Sequence, residues 1–370
     1  MFLKNLQIKN FRNYDNLDIS LSKGTNIIYG NNGQGKTNLL ESIYVLAFTK
    51  SHRSFIDKNL IKSDKESAII KGTILNNIPY NLEIVLNKNK KQVKIDNNSV
   101  SKIGTYIEKM NIIIFYSEDL NLIKGFPSER RKYLNLELSQ ISPNYYNTIN
   151  EYNKLLRIRN DYLKRLNIGE EINQSYFKIL TDYIVEKSVF IYQMRSKYIE
   201  RLNKVCPDIF KEITGRKGFR IVYKPSINIE NLDKENIRNN LLEAFNNNLD
   251  KEIKIKSTLY GPHHDDFEFV LNEENLRNYG SQGQQRIAVL SLKLSEIKIL
   301  QDYKGTSPII LLDDVFSELD HQKKNNLLKF IDNDMQVIIT TTDLDNIDKQ
   351  IIDKSKLIKI DKGKIVEEVR

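Results

Sequence analysis

Gly30-Asn31-Asn32-Gly33-Gln34-Gly35-Lys36-Thr37 constrains the fold of this chain more than any other stretch in it. Its spacing, G-x-x-x-x-G-K-[ST], is that of a phosphate-binding loop, whose chemistry requires a strand before it and a helix after it. Both flanks comply. TNIIYG reads as a buried strand ending at Gly30, and Leu39, Leu40, Ile43, Leu46 and Ala47 recur at helical spacing between Gly35 and Phe48. That periodicity predicts a helix with one face packed on a sheet. Glycines let backbone amides turn inward around phosphates, and the helix N-terminus adds partial positive charge. Lys36 reaches the β and γ phosphates, and the Thr37 hydroxyl can ligate Mg²⁺. The competing reading, a chance glycine-rich turn, is disfavoured by the strand–loop–helix context.

The remaining sequence supplies the partners of such a fold. FLKNLQIKNF alternates as a half-buried strand, LDISL is strand-like, and AIIKGTIL, YNLEIVLN and QVKID read as short strands, the last two joined by the turn KNKK. After Pro127 the character changes: residues 128 to about 214 read almost wholly as helix, which predicts a helical arm over 127–214 inserted in a head formed by 1–126 and 215–370. Strand signals return at FRIVYKPS and DFEFVLN. A helix is predicted from about Gln284 to Leu300, and SPIILLDD and MQVIITTTD read as buried strands of a parallel sheet.

Composition narrows the classes. The longest apolar runs fall far short of the roughly 20 residues that span a bilayer, which excludes an integral membrane protein. MFLKNLQIKNFRNY lacks the apolar core of a secretion signal, so a cytoplasmic address is expected. Cys206 is the only cysteine, which excludes an intrachain disulfide and a cysteine cluster for zinc or iron–sulfur. The net charge of +9 suits a polyanion such as nucleic acid, although Lys, Ile and Asn abound along the whole chain and coding bias accounts for the same surplus. A GTPase is disfavoured because no N-K-x-D guanine motif occurs.

Two further motifs carry chemistry. Asp313 and Asp314 end the apolar strand IILL, at the carboxyl edge where nucleotides bind in such sheets. Asp313 is expected to hold Mg²⁺ and Asp314 to orient or deprotonate the attacking water; a solvated acidic turn is the alternative. Ser281-Gln282-Gly283-Gln284-Gln285 stands just before a predicted helix, so the Ser281 hydroxyl and the Gly283 amide form a second anion-binding arrangement. One chain does not need two phosphate sites. The pentapeptide resembles the signature motif of the ATP-binding-cassette superfamily, which contacts the γ-phosphate held by a partner subunit, and Ser317-Glu318-Leu319-Asp320 resembles that superfamily's D-loop. Asp314 stands where transporter cassettes use glutamate, which implies slow turnover. Thr340 to Thr342 stand where those cassettes carry a histidine, which favours a branch other than transport.

FRNY, GNNGQGKTNLLESI, SHRS, EDLNLIKGFPSERRKYLN, GPHHDDFEF, SQGQQR and LLDDVFSELD span essentially the whole chain and together resemble the RecF family of bacterial recombination-repair proteins, itself similar to SMC and Rad50 heads. The resemblance implies an α/β, ABC/SMC-type P-loop ATPase head with an inserted helical arm domain. It further implies an ATP-dependent, nucleoid-associated homodimer that binds single- and double-stranded DNA, preferentially at gap junctions. With RecO and RecR, such a protein loads RecA. A structural SMC-like chromosome protein would need hundreds of coiled-coil residues, which this chain lacks.

Residue roles follow from the match. Arg12 and Asn13 fall in the family segment near the nucleotide, as do Gln282 and Gly283 of the signature, and Ser281 is expected to act in catalysis with Lys36 and Asp314. Arg53 stands where related heads place a phosphate- or DNA-sensing arginine, with a plain surface arginine as the alternative. Arg130 and Arg131 match a basic pair assigned here to DNA. His264 replaces the basic residue that usually follows GPH, so no permanent positive charge is expected there. Independently of the family, Lys88, Lys90, Lys91 and Lys94 make the KNKKQVK turn either a phosphate-contacting tip or a solvated hairpin. Arg157, Arg159, Lys164 and Arg165 form a stripe that reads equally as an exposed helix face.

Overall fold

A computed structural model of the chain describes residues 1–54, 56–314, 327, 331 and 334–369. The D-loop candidate Ser317–Asp320 lies outside the described residues. The chain divides into two compact units, one of Met1–Asp119 with Leu292–Arg370 and the other of Leu120–Ser291. Among the described residues no helix is long and apolar enough to cross a membrane.

The first unit holds two six-stranded sheets. One is antiparallel, in the order β2-β1-β4-β5-β6-β7, with β1 at Phe2–Phe11, β2 at Tyr14–Ser20, β4 at Ser67–Asn76, β5 at Ile78–Asn87, β6 at Lys91–Ile95 and β7 at Asn98–Ser99. The alternation read in FLKNLQIKNF is real: Leu3, Leu6 and Ile8 are buried while Lys4, Gln7 and Lys9 face solvent. β1 and β2 form a hairpin closed by the pair Phe11–Tyr14, with Arg12 at φ 52° in its two-residue turn.

The second sheet runs β15-β14-β3-β13-β12-β8: β3 is Thr25–Tyr29, β8 Ile112–Phe115, β12 Ile309–Asp313, β13 Val337–Thr341, β14 Lys356–Asp361 and β15 Lys364–Val369. From β14 to β8 all neighbours are parallel, and only β15 folds back antiparallel. Register decides what meets at the carboxyl edge: Asp313 pairs with Thr340, and Thr340 pairs with Ile28, two residues before Gly30. The loop after β3 and the acids after β12 are thereby brought to the same edge with Thr340 between them.

α1, Lys36–Phe48, packs against strands of both sheets. Its apolar positions suggested one buried face; instead nearly the whole circumference is buried, because a sheet lies on each side. On the antiparallel side the fit is tight. A Cβ on Gly72 of β4 would stand 2.4 Å from Leu46 of α1 and 2.9 Å from Leu3 of β1. Glu41 and Ser42 of α1 are buried along with the leucines.

In the second unit the helices expected after Pro127 are present as α2 (Pro127–Ile141), α3 (Pro143–Asn167) and α4 (Gln174–Thr214). Proline stands at the first turn of α2 and α3, Ser142 and Asn173 cap α3 and α4 by accepting from the amides of Tyr145 and Tyr176, and Gly215 ends α4 at φ 71°. These helices do not stand alone as an arm bounded at 127 and 214. They pack with β9 (Phe219–Lys224), β10 (Asp266–Leu271), β11 (Glu274–Asn275) and the helix Lys234–Ile255, so the compact unit reaches Ser291. The physical reason is a set of buried charge pairs linking the helices to the segment that follows them. Arg195 meets Asp265 at 2.8 Å, Arg159 meets Glu252 at 2.6 Å and Arg130 meets Asp266 at 2.5 Å. Arg159 is therefore not on an exposed stripe: it is 1% exposed and lies over the Phe245 ring.

Candidate nucleotide site

The phosphate loop is held from two directions. Gln34 O accepts from Asn13 Nδ2 at 3.2 Å and from the amide of Gly363 at 2.9 Å, and Gln34 Oε1 accepts from the amide of Lys362 at 2.7 Å. The β1–β2 turn and the β14–β15 turn thus grip the same residue, while Tyr14 donates its hydroxyl to Gly35 O at 2.9 Å. Close approach explains the glycines. A Cβ on Gly30 would stand 2.3 Å from Ile360 O, and one on Gly35 would stand 2.6 Å from Asn13 Nδ2 and 2.9 Å from Tyr14 Oη. Gly33, at φ 77°, has open space around it.

Lys36 opens α1, with its ammonium donating to Gly30 O at 2.6 Å and Asn31 O at 2.9 Å. Burial lowers its pKa against the attraction of Asp314 and Asp313. Thr37 Oγ1 donates to Asp313 Oδ1 at 3.1 Å, and Thr340 Oγ1 donates to the same oxygen at 2.8 Å. Burial raises the Asp313 pKa despite these two hydroxyls and the charge of Arg53. A half-buried carboxylate beside a threonine hydroxyl is a donor set suited to a hard divalent cation. Asp314 takes φ 54° and its amide donates to Thr340 Oγ1 at 3.0 Å; this left-handed turn directs it away from the strand into a pocket of about 330 Å³. The pocket is lined by Asn32, Gly33, Gly35, Lys36, Thr37, Asn38, Arg53, Asp314 and Thr340.

Arg53, left open in the sequence between a phosphate- or DNA-sensing role and a plain surface arginine, lines this pocket. Arg12, expected beside the nucleotide, instead makes a two-pronged pair with Glu41, Nη2 to Oε1 at 2.6 Å and Nε to Oε2 at 2.8 Å, and donates to Asn59 O. Asn13 does meet the loop. Glu41, Asn38, Ser51 and Tyr14 were not singled out from sequence, and Thr340 entered only within the stretch that stands in place of the transporter histidine. The one available signal was Glu41 itself, a lone acid in the apolar run LLESIYVLAF of a helix that a phosphate loop opens.

The signature pentapeptide, expected just before a helix beginning near Gln284, instead enters it: the helix runs Gln282–Lys304 and only Ser281 precedes it. Ser281 Oγ accepts from the amide of Gln284 at 3.3 Å while Gln284 Oε1 accepts from the amide of Ser281 at 2.8 Å, a reciprocal cap. Ser281, Gln282 and Gly283 are exposed, and space is open at Gly283. A helix start so arranged presents amides to an incoming anion.

The DNA candidates fare unevenly. Arg130 is 4% exposed and bonded through Nε and Nη2 to Asp266, inside the second unit, whereas Arg131 is half-buried and donates to Asp265 O at 3.0 Å. Lys91 donates to Thr49 O at 2.5 Å and Asp57 at 2.8 Å, and Lys94 is paired with Glu83. Lys88 pairs with Glu66, and Lys90 is exposed at the β5–β6 turn. The GPHH segment runs from a buried Gly261 and Pro262, through a half-buried His263, to an exposed His264. His263 lies between Tyr152 Oη at 2.5 Å and Thr258 O at 3.1 Å, and His264 Nε2 also meets Thr258 O at 3.0 Å. Asp265 takes hydrogen bonds from Arg195, Tyr223 and the amide of Ser226. His264 thus has a backbone partner in Thr258 O.

Comparison with known proteins was consistent with this geometry. The RecF/RecN/SMC N terminal domain model matches residues 2–365. The chain is 38% identical to the DNA replication and repair protein RecF of Ligilactobacillus salivarius, over 100% of this chain and 98% of the relative. It is 39% identical to RecF of Halalkalibacterium halodurans over 99% of each. Among solved structures, it is similar to the recombination mediator protein RecF-ATP in the RecFOR pathway, with a TM-score of 0.92 and 33% identity over 100% of this chain and 98% of that one. An Smc head bound to the C-winged helix domain of ScpA shares the fold alone, at a TM-score of 0.54 and 15% identity over 100% of this chain and 97% of that one.

Proposed function

This chain belongs to the RecF family of DNA replication and repair proteins, and on that premise we propose that it is an ATP-dependent DNA-binding ATPase of recombinational repair. The unit of Met1–Asp119 with Leu292–Arg370 is its ATP-binding head. The observation that carries this reading is one pocket lined by the phosphate loop, Asp314, Thr340 and Arg53 at the carboxyl edge of the parallel sheet. Backbone amides from Asn32 to Thr37 receive the phosphates, and Lys36 exchanges its loop carbonyls for phosphate oxygens. Asp314 orients the attacking water and accepts its proton.

Thr37 and Asp313 would hold Mg²⁺, which supplies charge neutralisation at the β and γ phosphates when bound. The exposed cap at Ser281 and Gly283 presents helix-start amides to an anion, which supports its use across a homodimer, on ATP held by a second copy. In this reading ATP closes the dimer, the dimer engages DNA at single-strand gaps, and RecO and RecR act with it in RecA loading. Hydrolysis is slow, because an aspartate reaches less far toward the water than the glutamate of transporter cassettes.

A titration of DNA binding with and without ATP, on gapped, duplex and single-stranded DNA, tests this. ATP should tighten binding and the gapped substrate should be preferred. Affinity that is independent of ATP on every substrate would overturn the reading.

A further inference from the structure

Glu41 is a fully buried charge beside the pocket and is not itself among the residues that line it. Its side chain is 0% exposed, and its two oxygens receive the Arg12 fork and a short donation from Ser51 Oγ at 2.5 Å. Burial opposes ionisation, but the hydrogen bonds from Arg12 and Ser51 and the charges of Arg12 and Arg53 hold its carboxyl below the usual range. The same Ser51 oxygen that donates to Glu41 accepts from the amides of Arg53 and Ser54, both at 2.9 Å. Glu41 Oε2 also stands 3.6 Å from Arg53 Nη1, whose hydrogen bond goes to Asn38 Oδ1 at 3.1 Å. Arg53 is thus steered through its backbone, by Ser51, and through its side chain, by the carboxylate.

The distances also decide which arginine neutralises the acid. Arg12, at 2.6 and 2.8 Å, matches both oxygens, whereas Arg53 at 3.6 Å is outside hydrogen-bond range. The trio of one acid and two arginines leaves one positive charge, carried by Arg53, whose side chain is 43% exposed and lines the pocket.

Resting on the reading of this pocket as an ATP site, we infer that Glu41 is a positioning residue for Arg53. Clamped by Arg12, it holds the Arg53 guanidinium at the pocket rim as the cation that recognises the terminal phosphate and so distinguishes ATP from ADP. Arg12 acts one step further back, by neutralising Glu41 so that the acid steers Arg53 without capturing it.

The test is a double-mutant cycle read as the ratio of ATP to ADP affinity, measured by equilibrium titration of a fluorescent non-hydrolysable ATP analogue and of ADP. Arg53→Ala should lower that ratio about tenfold or more, the size of a lost charge-assisted hydrogen bond, with ADP affinity little changed. Glu41→Gln keeps the side-chain volume and should lower the ratio in the same direction. In the Arg53→Ala background it should have no further effect. Ser51→Ala, which leaves the Arg12–Glu41 pair in place, should give a smaller loss of the same kind and serves if Glu41→Gln fails to fold. If these substitutions weaken ATP and ADP alike, or if their effects on the ratio add to that of Arg53→Ala, the inference is overturned. If the parent protein binds neither nucleotide, the reading of the pocket fails instead.

Discussion

Lys36 is the only side-chain cation within the phosphate loop, and its ammonium donates to the backbone oxygens of Gly30 and Asn31, contacts that a bound phosphate is expected to replace. Lys36→Ala should greatly weaken ATP binding in a fluorescent-analogue titration; unchanged affinity would place the nucleotide elsewhere. The two acids should separate cleanly. Asp314→Asn is expected to abolish hydrolysis while Mg²⁺-dependent ATP binding persists, since Thr37 and Asp313 remain; loss of binding in that variant would reverse the two assignments. The loop glycines are unequal too. Gly33→Ala meets open space and carries only the left-handed backbone cost of about 1–2 kcal/mol, whereas Gly35→Ala also drives a methyl into Asn13 and Tyr14 and should lower the melting temperature further. Motif residues were legible because their spacing is local. Glu41 was not: its partners Arg12 and Ser51 lie 29 and 10 residues away, and no period in the sequence encodes either contact.

Among the elements, the strands were legible where one face is wet, as in β1, and where a short apolar run is bounded by turns, as in β12 and β13. α1 was legible as a helix but not as one enclosed on both sides, since amphipathic spacing reports a buried stripe and is silent about a second sheet. The helices of the second unit were found and their partners were not. Arg130 and Arg159 look like surface charge in a helical sequence, and only the acids that follow some 90 to 136 residues later reveal them as interior. His263 gives this interior a pH signature. Burial, with the positive charges of His264, Arg131 and Arg159, pushes its pKa from 6.5 down to about 3. A depressed histidine binds fewer protons folded than unfolded, so its contribution is fully present above pH 6.5 and declines as pH falls toward 3. At pH 5 the loss is about 2 kcal/mol. Melting curves at pH 7.5 and pH 5 should show a steeper acid loss in the parent than in His263→Gln; equal slopes would mean that the ring is solvated.

For the whole molecule, a net charge of +9 favours a polyanion but does not locate it, and most of the basic residues first assigned to DNA are held by acids or carbonyls. DNA affinity should still fall log-linearly with salt if phosphate contacts carry it, and Lys90→Glu should reduce the slope if the β5–β6 turn takes part. An unchanged slope would return that turn to a solvated hairpin.

The central claim is that a phosphate loop on one copy is completed by Ser281 and Gly283 of another. Ser281→Arg and Lys36→Ala proteins, each carrying Asp314→Asn to prevent hydrolysis, provide the direct measurement. Their mixture forms a heterodimer in which one site is doubly damaged and the other pairs an intact loop with an intact signature. Light scattering should show ATP-dependent association in the mixture and in neither variant alone. Association of the Ser281→Arg protein by itself, at the level of the Asp314→Asn parent, would contradict the shared site.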